Sequence, residues 1–349
     1  MRGTKRDAIQ RMEEREAEIR AGGKGYAQPS KQTLTEYMGS WLRTHVDTNL
    51  RPSTADSYHQ IVDLHIVPGL GGTPLADLTA HQIQTWLTNL LLPQASGRTL
   101  SPRRVAYIRQ VLHAALADAV RLGLLPANPV DRVRPPKQNP KQVQSFTREQ
   151  AQAIDEAGAD GALGVLFSFL WRTGLRIGEA MGLRWSDINL EDGSLSVHRT
   201  VARIGGRVIE GPPKTKAGRR DIALPPQVVE MLRLHKEAQE LERQAQDPDW
   251  NPLGLVFPSV TGTWLAYGTV RWDWMKLLRR AGLPAYGLHA LRHTCASLML
   301  QAGVGIAEIA AHLGDDPAIV SRVYAHILEQ TKRQAADRFA QFLDGSQVP

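Results

Sequence analysis

Five prolines fall within fifteen residues, at positions 126, 129, 135, 136 and 140. Proline has no backbone N–H, fixes φ and pushes its predecessor out of the helical region, so this stretch is neither helix nor sheet interior. It therefore divides the 349-residue chain, in keeping with a length prior of roughly 150 residues per domain. From residue 132 onward the tract carries Arg132, Arg134, Lys137 and Lys141 and no acid. A basic, extended tether suits a chain that wraps a polyanion, although a plain solvated linker has the same composition. The expected organisation is an N-terminal helix and loop over 1–30, a helical domain over 31–128, the basic Pro-rich linker over 129–145 and a second domain over 146–345.

Residues 4–21 read as one charged helix stopped by Gly22 and Gly23. The helical domain then shows two Thr-x-x-Glu/Gln capping boxes, at Thr33–Glu36 and Thr79–Gln82. Pro52 starts a further helix, and Pro68 to Gly72 is expected to break the chain. Pro102 suits the first turn of the longest helix, whose Val105, Ile108, Val111, Leu112, Ala115, Leu116 and Ala119 follow the 3.6-residue period. A bundle of about four helices results.

A third capping box, Thr147–Gln150, opens the second domain. Helices are expected near Ile154, over 162–173, 226–246, 269–281, 290–302, 305–313, 317–325 and 328–343. Ser194 to Val201 alternates and reads as a strand turned back by Gly205 and Gly206; Arg220 to Leu224 and Leu255 to Phe257 read as short strands. The fold class is mainly α with a small antiparallel β-sheet, an α+β second domain behind an N-terminal helical bundle.

Charge and cysteine content narrow the function. Lys and Arg exceed Asp and Glu by 42 to 35, a net charge of +7. That balance points to a polyanion. The one cysteine, Cys295, excludes an internal disulfide framework and a cysteine-cluster zinc site, and fits a reducing compartment. The charged N-terminus lacks an apolar signal core, and the most apolar run, Leu163 to Trp171, is half the length of a membrane span. No phosphate loop, zinc-protease helix, nucleophile elbow or calcium loop occurs, so no nucleotide cofactor or structural metal is indicated.

Cationic and imidazole groups stand out instead. In Thr173-Gly174-Leu175-Arg176-Ile177-Gly178-Glu179, the glycine stops a helix, Arg176 lies at the turn, and Glu179 is placed to hold its guanidinium. In Leu288-His289-Ala290-Leu291-Arg292-His293-Thr294, His289 and Arg292 share a helix face three residues apart, which suits a phosphate site as well as a solvated polar face. A third group is His312-Leu313-Gly314-Asp315-Asp316 followed by Val323-Tyr324-Ala325-His326.

The ordered series T-G-L-R-x-G-E, H-x-L-R-H-T and L-G followed by Y-x-H resembles the tyrosine recombinases, the phage-integrase family of site-specific DNA recombinases. The resemblance covers about residues 33–345. It implies a core-binding domain at 31–128 and a catalytic domain at 146–345. It makes Arg176 and Arg292 the catalytic arginines, Glu179 the supporting acid, His289 the partner of Arg292 and Tyr324 the nucleophile. Lys214 is the hairpin lysine, with Lys216 a second claimant. The family usually has His or Trp nine residues before the tyrosine; here Asp315 stands there. A carboxylate repels a phosphate unless protonated, which bears on turnover. His312 lies one helical turn earlier and is an alternative donor.

The implied reaction is in-line attack of Tyr324 on a DNA phosphodiester, giving a 3′-phosphotyrosyl bond and a 5′-hydroxyl. The covalent link conserves the bond energy, and the arginines supply the charge, so neither ATP nor metal is implied. Phenol ionises near pH 10, so attack needs a base such as His289 or the cationic field; Lys214 is the expected acid. The implied partners are double-stranded attachment sites, a homotetramer on DNA built from a protomer that is free otherwise, and accessory DNA-bending or directionality proteins. The expected place is the bacterial cytoplasm, at the nucleoid, and not a membrane. The linker cations are expected to touch DNA. Residues 331–343 form a helix that packs either on its own domain or on a neighbouring protomer. Residues 1–30 resemble only the closing helix of an arm-binding domain. Three rivals remain: a non-cutting regulator of the same fold, a topoisomerase with the same chemistry, and a basic protein with no DNA role.

Overall fold

The computed structural model describes residues 32–93, 99–138, 143–213, 216–245, 249–325, 327 and 340. The expected helices over 4–21 and 331–343, and the cations Lys141 and Lys214, lie outside the described residues, as does the side chain of Lys216. The chain divides into two compact units, Met1–Pro140 and Lys141–Pro349.

The first unit is all helical. Helix α1 (Leu34–Trp41) starts at Thr33, whose hydroxyl accepts from the Glu36 backbone while the Glu36 carboxylate accepts from the Thr33 backbone at 2.8 Å. A π-helical turn, Leu42–Val46, extends it. Helix α2 (Pro52–Ile61) is likewise extended by the π-turn Val62–Ile66 and by Val67–Leu70. The break expected over Pro68 to Gly72 comes at Gly71: the helix runs on through Pro68 and ends at Leu70. Helices α3 (Ala80–Leu90) and α4 (Pro102–Arg121) complete the bundle. All seven apolar positions expected of α4 are buried. Each of the five larger ones, the valines, leucines and isoleucine, contributes roughly 1.5–3 kcal/mol by leaving water. Polar ties add specificity: Tyr37 donates to the Ala115 carbonyl at 2.6 Å, and the Trp41 indole to Asp118 at 2.7 Å.

The start of the proline tract belongs to this core. Val130 and Val133 are buried. Arg109 on α4 donates to their carbonyls at 2.9 and 3.1 Å. The side chains of Arg132, Arg134 and Lys137 are exposed.

The second unit surrounds α6 (Gly164–Thr173), a helix apolar on most sides, packed against α5 (Arg148–Gly158) and α10 (His289–Gln301). Phe167 and Phe169 of α6 meet Trp274 of α9 (Tyr267–Arg280) and Phe257. The remaining helices are the short α7 (Ile177–Met181), α8 (Pro226–Ala245), α11 (Ile306–Leu313) and α12 (Pro317–Val323).

The expected strand Ser194 to Val201 is two strands in two sheets. Strand β2 (Ser194–Val197) lies between β1 (Ile188–Asn189) and β5 (Arg220–Ala223), all antiparallel. Strand β3 (Thr200–Ile204) pairs only with β4 (Arg207–Gly211) through the Gly205–Gly206 turn. The change of sheet falls at His198–Arg199, where Arg199 turns to bind Asp187 and Glu210. Leu255 to Phe257 makes one bridge, Leu255 to Arg184, and no strand. A small satellite core, formed by Ala296, Leu300, Ile309, Ala310, Leu313, Val320, Tyr324 and Ile327, joins α10, α11 and α12.

Candidate active site

Two glycine-terminated helices aim the site. Helix α6 ends at Gly174, at φ +65°, with its N–H on the Leu170 carbonyl at 2.9 Å. A Cβ there would lie 2.5 Å from Leu313 Cδ2, so the position excludes a side chain on both conformational and steric grounds. The chain reverses, and Arg176 becomes the N-cap of α7. Glu179 then accepts from the Arg176 backbone at 3.0 Å and from its Nη1 at 2.9 Å.

Helix α11 ends in a Schellman motif: Gly314, at φ +67°, bonds back to Ala311, and the Asp315 N–H bonds to the Ala310 carbonyl at 3.0 Å. Asp316 caps α12 by accepting from the Ala318 N–H at 2.7 Å. The Asp315 carboxylate is thereby aimed at both arginines. One oxygen accepts from Arg176 Nη2 and the other from Arg292 Nη2, the latter at 2.5 Å.

Arg292 rises from α10 and is 3% exposed. It also donates to the Gly174 carbonyl at 2.7 Å and the Leu313 carbonyl at 2.8 Å. These are helix-end carbonyls, which lack intrahelical partners and carry partial negative charge. Arg220, at the start of β5, is the third guanidinium. It donates to Glu179 at 3.1 Å, to the His312 carbonyl at 2.7 Å and to the Gly218 carbonyl at 3.1 Å. Burial opposes ionisation of Glu179, but the charges of Arg220 and Arg176 outweigh it and hold its carboxyl below the usual range.

The imidazoles differ in use. Burial, then the fields of Arg292 and Arg176, keep His289 below its ordinary value, so it is neutral at physiological pH. Its ring meets that of His293 edge-on at 4.6 Å. Nδ1 of His293 lies 2.7 Å from the Tyr324 hydroxyl. Tyr324 is 4% exposed at the C-terminal end of α12. Burial pushes its phenol above the ordinary value, and Arg292 opposes that rise. His312 is spent on structure, its Nε2 being 2.9 Å from the Thr173 carbonyl.

Arg176, Glu179, Arg292, Asp315 and Arg220 thus form one hydrogen-bonded shell drawn from remote segments, with His289, His293 and Tyr324 beside it. Sequence reading missed two members. Arg220 hid in a basic run, and its burial is a tertiary fact. His293 carried a signal: it lies four residues after His289, on the same helix face.

The phage integrase family model matches residues 138–331, more than half of the chain, and the phage integrase N-terminal SAM-like domain matches 33–91. The chain belongs to the phage integrase family. It is a site-specific recombinase of the tyrosine type. A "Tyrosine recombinase XerC-like" protein of Caldanaerobacter subterraneus subsp. tengcongensis is 28% identical over 87% of this chain and 82% of its own length. The integrase of Mycobacterium phage L5 is 27% identical over 82% of this chain and 73% of its own. In fold, the Tn1549 transposon integrase bound to a circular intermediate DNA matches with a TM-score of 0.72, at 19% identity, over 88% of this chain and 99% of that one. A lambda integrase tetramer bound to a Holliday junction matches with a TM-score of 0.61, at 22% identity, over 90% and 85%. Among the described residues of this integrase-family chain, no helix is long and apolar enough to cross a membrane, and no cluster of His, Cys, Asp or Glu has the makings of a metal site.

Proposed function

We propose that this recombinase cuts and rejoins double-stranded DNA through a 3′-phosphotyrosyl bond to Tyr324, and so integrates or excises a mobile element. The observation that carries the reading is the clasp of Arg176 and Arg292 on one carboxylate beside a buried phenol. The two oxygens of Asp315 stand in for the two non-bridging oxygens of a scissile phosphate, which guanidinium forks bind in the same manner. The phosphate displaces Asp315, and the arginines then stabilise the charge that grows in the transition state. Lys214, or Lys216 in its place, protonates the leaving 5′-oxygen. Glu179 and Arg220 hold Arg176.

Residues 31–128 serve as the core-binding domain, 129–145 as the linker and 146–345 as the catalytic domain. Arg132, Arg134 and Lys137 present exposed charge for the DNA backbone, with Lys141 following them. Four protomers on two duplexes complete an exchange, aided by DNA-bending or directionality proteins, at the bacterial nucleoid. The lambda integrase tetramer on a Holliday junction supports that assembly.

The Asp315 clasp also favours a second reading, a DNA-binding regulator of the same fold that cuts slowly or not at all. One experiment separates them. The protein is incubated with nicked suicide duplexes taken from the DNA adjoining its own gene, and covalent adduct is scored on denaturing gels. An adduct that is lost in Tyr324→Phe is expected. Binding without adduct supports the regulator, and adduct without recombinant product supports a topoisomerase.

A further inference from the structure

We propose that His293 is the catalytic base that takes the proton of the Tyr324 hydroxyl, a role that rests on Tyr324 being the nucleophile. Its Nδ1 is 2.7 Å from that hydroxyl, the distance of a formed hydrogen bond. The two rings stand 5.8 Å apart at a steep angle, so the contact is made through the ring edge rather than by stacking.

Three further observations agree. Tyr324 belongs to the satellite core and is almost wholly buried, so bulk water is a poor alternative acceptor. Burial also raises the phenol above its ordinary value, which makes an internal acceptor more necessary than it is in water. His293 faces His289, Arg292 and Asp315; burial first, then His289 and Arg292, push it down to about 4 against the opposing pull of Asp315. It is therefore unprotonated at neutral pH. With the ring proton on Nε2, the Nδ1 lone pair points to the hydroxyl. His289 stands differently: its ring meets that of His293, whereas the hydrogen bond to the Tyr324 hydroxyl is made by His293.

The step balances as follows. As a lone pair of the phenol oxygen forms the P–O bond, its proton passes to Nδ1 and His293 becomes imidazolium. The bond from phosphorus to the 5′-oxygen breaks with its electron pair on that oxygen, which takes a proton from the acid, Lys214 in the reading above. On rejoining, the 5′-hydroxyl attacks, and the imidazolium returns its proton to the departing phenolate. A base this weak cannot ionise a phenol beforehand. The transfer is concerted with bond formation, when the phenol oxygen is losing its basicity.

The test uses the full chain and the suicide duplexes described above. His293→Ala and His293→Gln are expected to slow single-turnover adduct formation by about 10²–10⁴-fold, the usual worth of a positioned base. Two substitutions of chemistry then separate base from acid and from scaffold. A 5′-bridging sulfur in the DNA gives a leaving group that needs no proton; it rescues a Lys214→Ala variant and leaves His293→Ala slow. A trifluorinated tyrosine at 324, acidic enough to ionise unaided, restores most of the rate in His293→Ala and adds little to the parent. A His293→Ala rate within about threefold of the parent overturns the proposal. So does rescue by the bridging sulfur, or failure of the fluorinated tyrosine to rescue a variant that still binds the duplex. If the unmodified protein forms no Tyr324-dependent adduct, the underlying reading fails, and the proposal with it.

Discussion

Replacing Asp315 should move stability and rate in opposite directions. The carboxylate joins Arg176 and Arg292, each through a charge-assisted bond. Such bonds are worth roughly 1.5–3 kcal/mol each where water is excluded. The Asp315 side chain is 25% exposed, so screening lowers the pair to about 1–2 kcal/mol in total. Asp315→Asn keeps the shape and one acceptor but turns an N–H toward a guanidinium. A domain of this size loses roughly 2–4 °C of melting temperature per kcal/mol, so a fall of about 2–8 °C is expected. The scissile phosphate, in contrast, no longer has to displace an anion. If displacement costs the same about 1–2 kcal/mol, the adduct should form roughly 5–30 times faster at subsaturating DNA. Asp315→His should gain likewise, because imidazole can donate to the phosphate. Thermal unfolding and single-turnover cleavage measure the two effects on the same samples. A substitution that lowers both quantities would refute the reasoning, because it would show that the carboxylate serves the reaction rather than holding its place.

Arg220→Ala leaves buried Glu179 without one of its two guanidinium partners and frees the His312 and Gly218 carbonyls. A loss of about 3–5 kcal/mol in chemical denaturation is expected, with Arg220→Lys intermediate. Gly314→Ala places a methyl 2.6 Å from the Ala217 carbonyl at a positive φ, and should cost at least about 1–2 kcal/mol from the backbone alone. Lowering the pH should destabilise the fold between the ordinary histidine value of 6.5 and about 4, because the unfolded chain binds a proton at His293 that the folded chain refuses. That stability is complete above the upper value and is lost as the pH falls toward the lower one. Denaturation midpoints at neutral and mildly acid pH should differ less in His293→Gln, although His289, His312 and His235, shifted the same way, retain their share.

Local rules carried most of the helical layout. The capping boxes at Thr33, Thr79 and Thr147 are present with both hydrogen bonds, and Pro102 lies in the first turn of α4. These signals depend on residues three or four apart, which is why sequence alone exposes them. The strands were less legible, since nothing local says that β2 and β3 leave for different partners. The site divided along the same line. Arg176 with Glu179 is a contact between near neighbours. The bond from Tyr324 to His293 spans 31 residues, and that from Asp315 to Arg176 spans 139. Only the resemblance to a family joined such distant segments before the fold was known. It did not reveal that Arg220 is buried or that Asp315 binds both arginines.

Two of the acceptors on Arg292 are main-chain oxygens, at Gly174 and Leu313. A codon change cannot erase a carbonyl, so mutational drift leaves this anchorage standing as long as the two helices end where they do. The side chain at 315 is the one acceptor among these that inheritance can exchange. Variation there tunes how readily the pair of cations accepts a new anion, without dismantling the mount that keeps Arg292 in place.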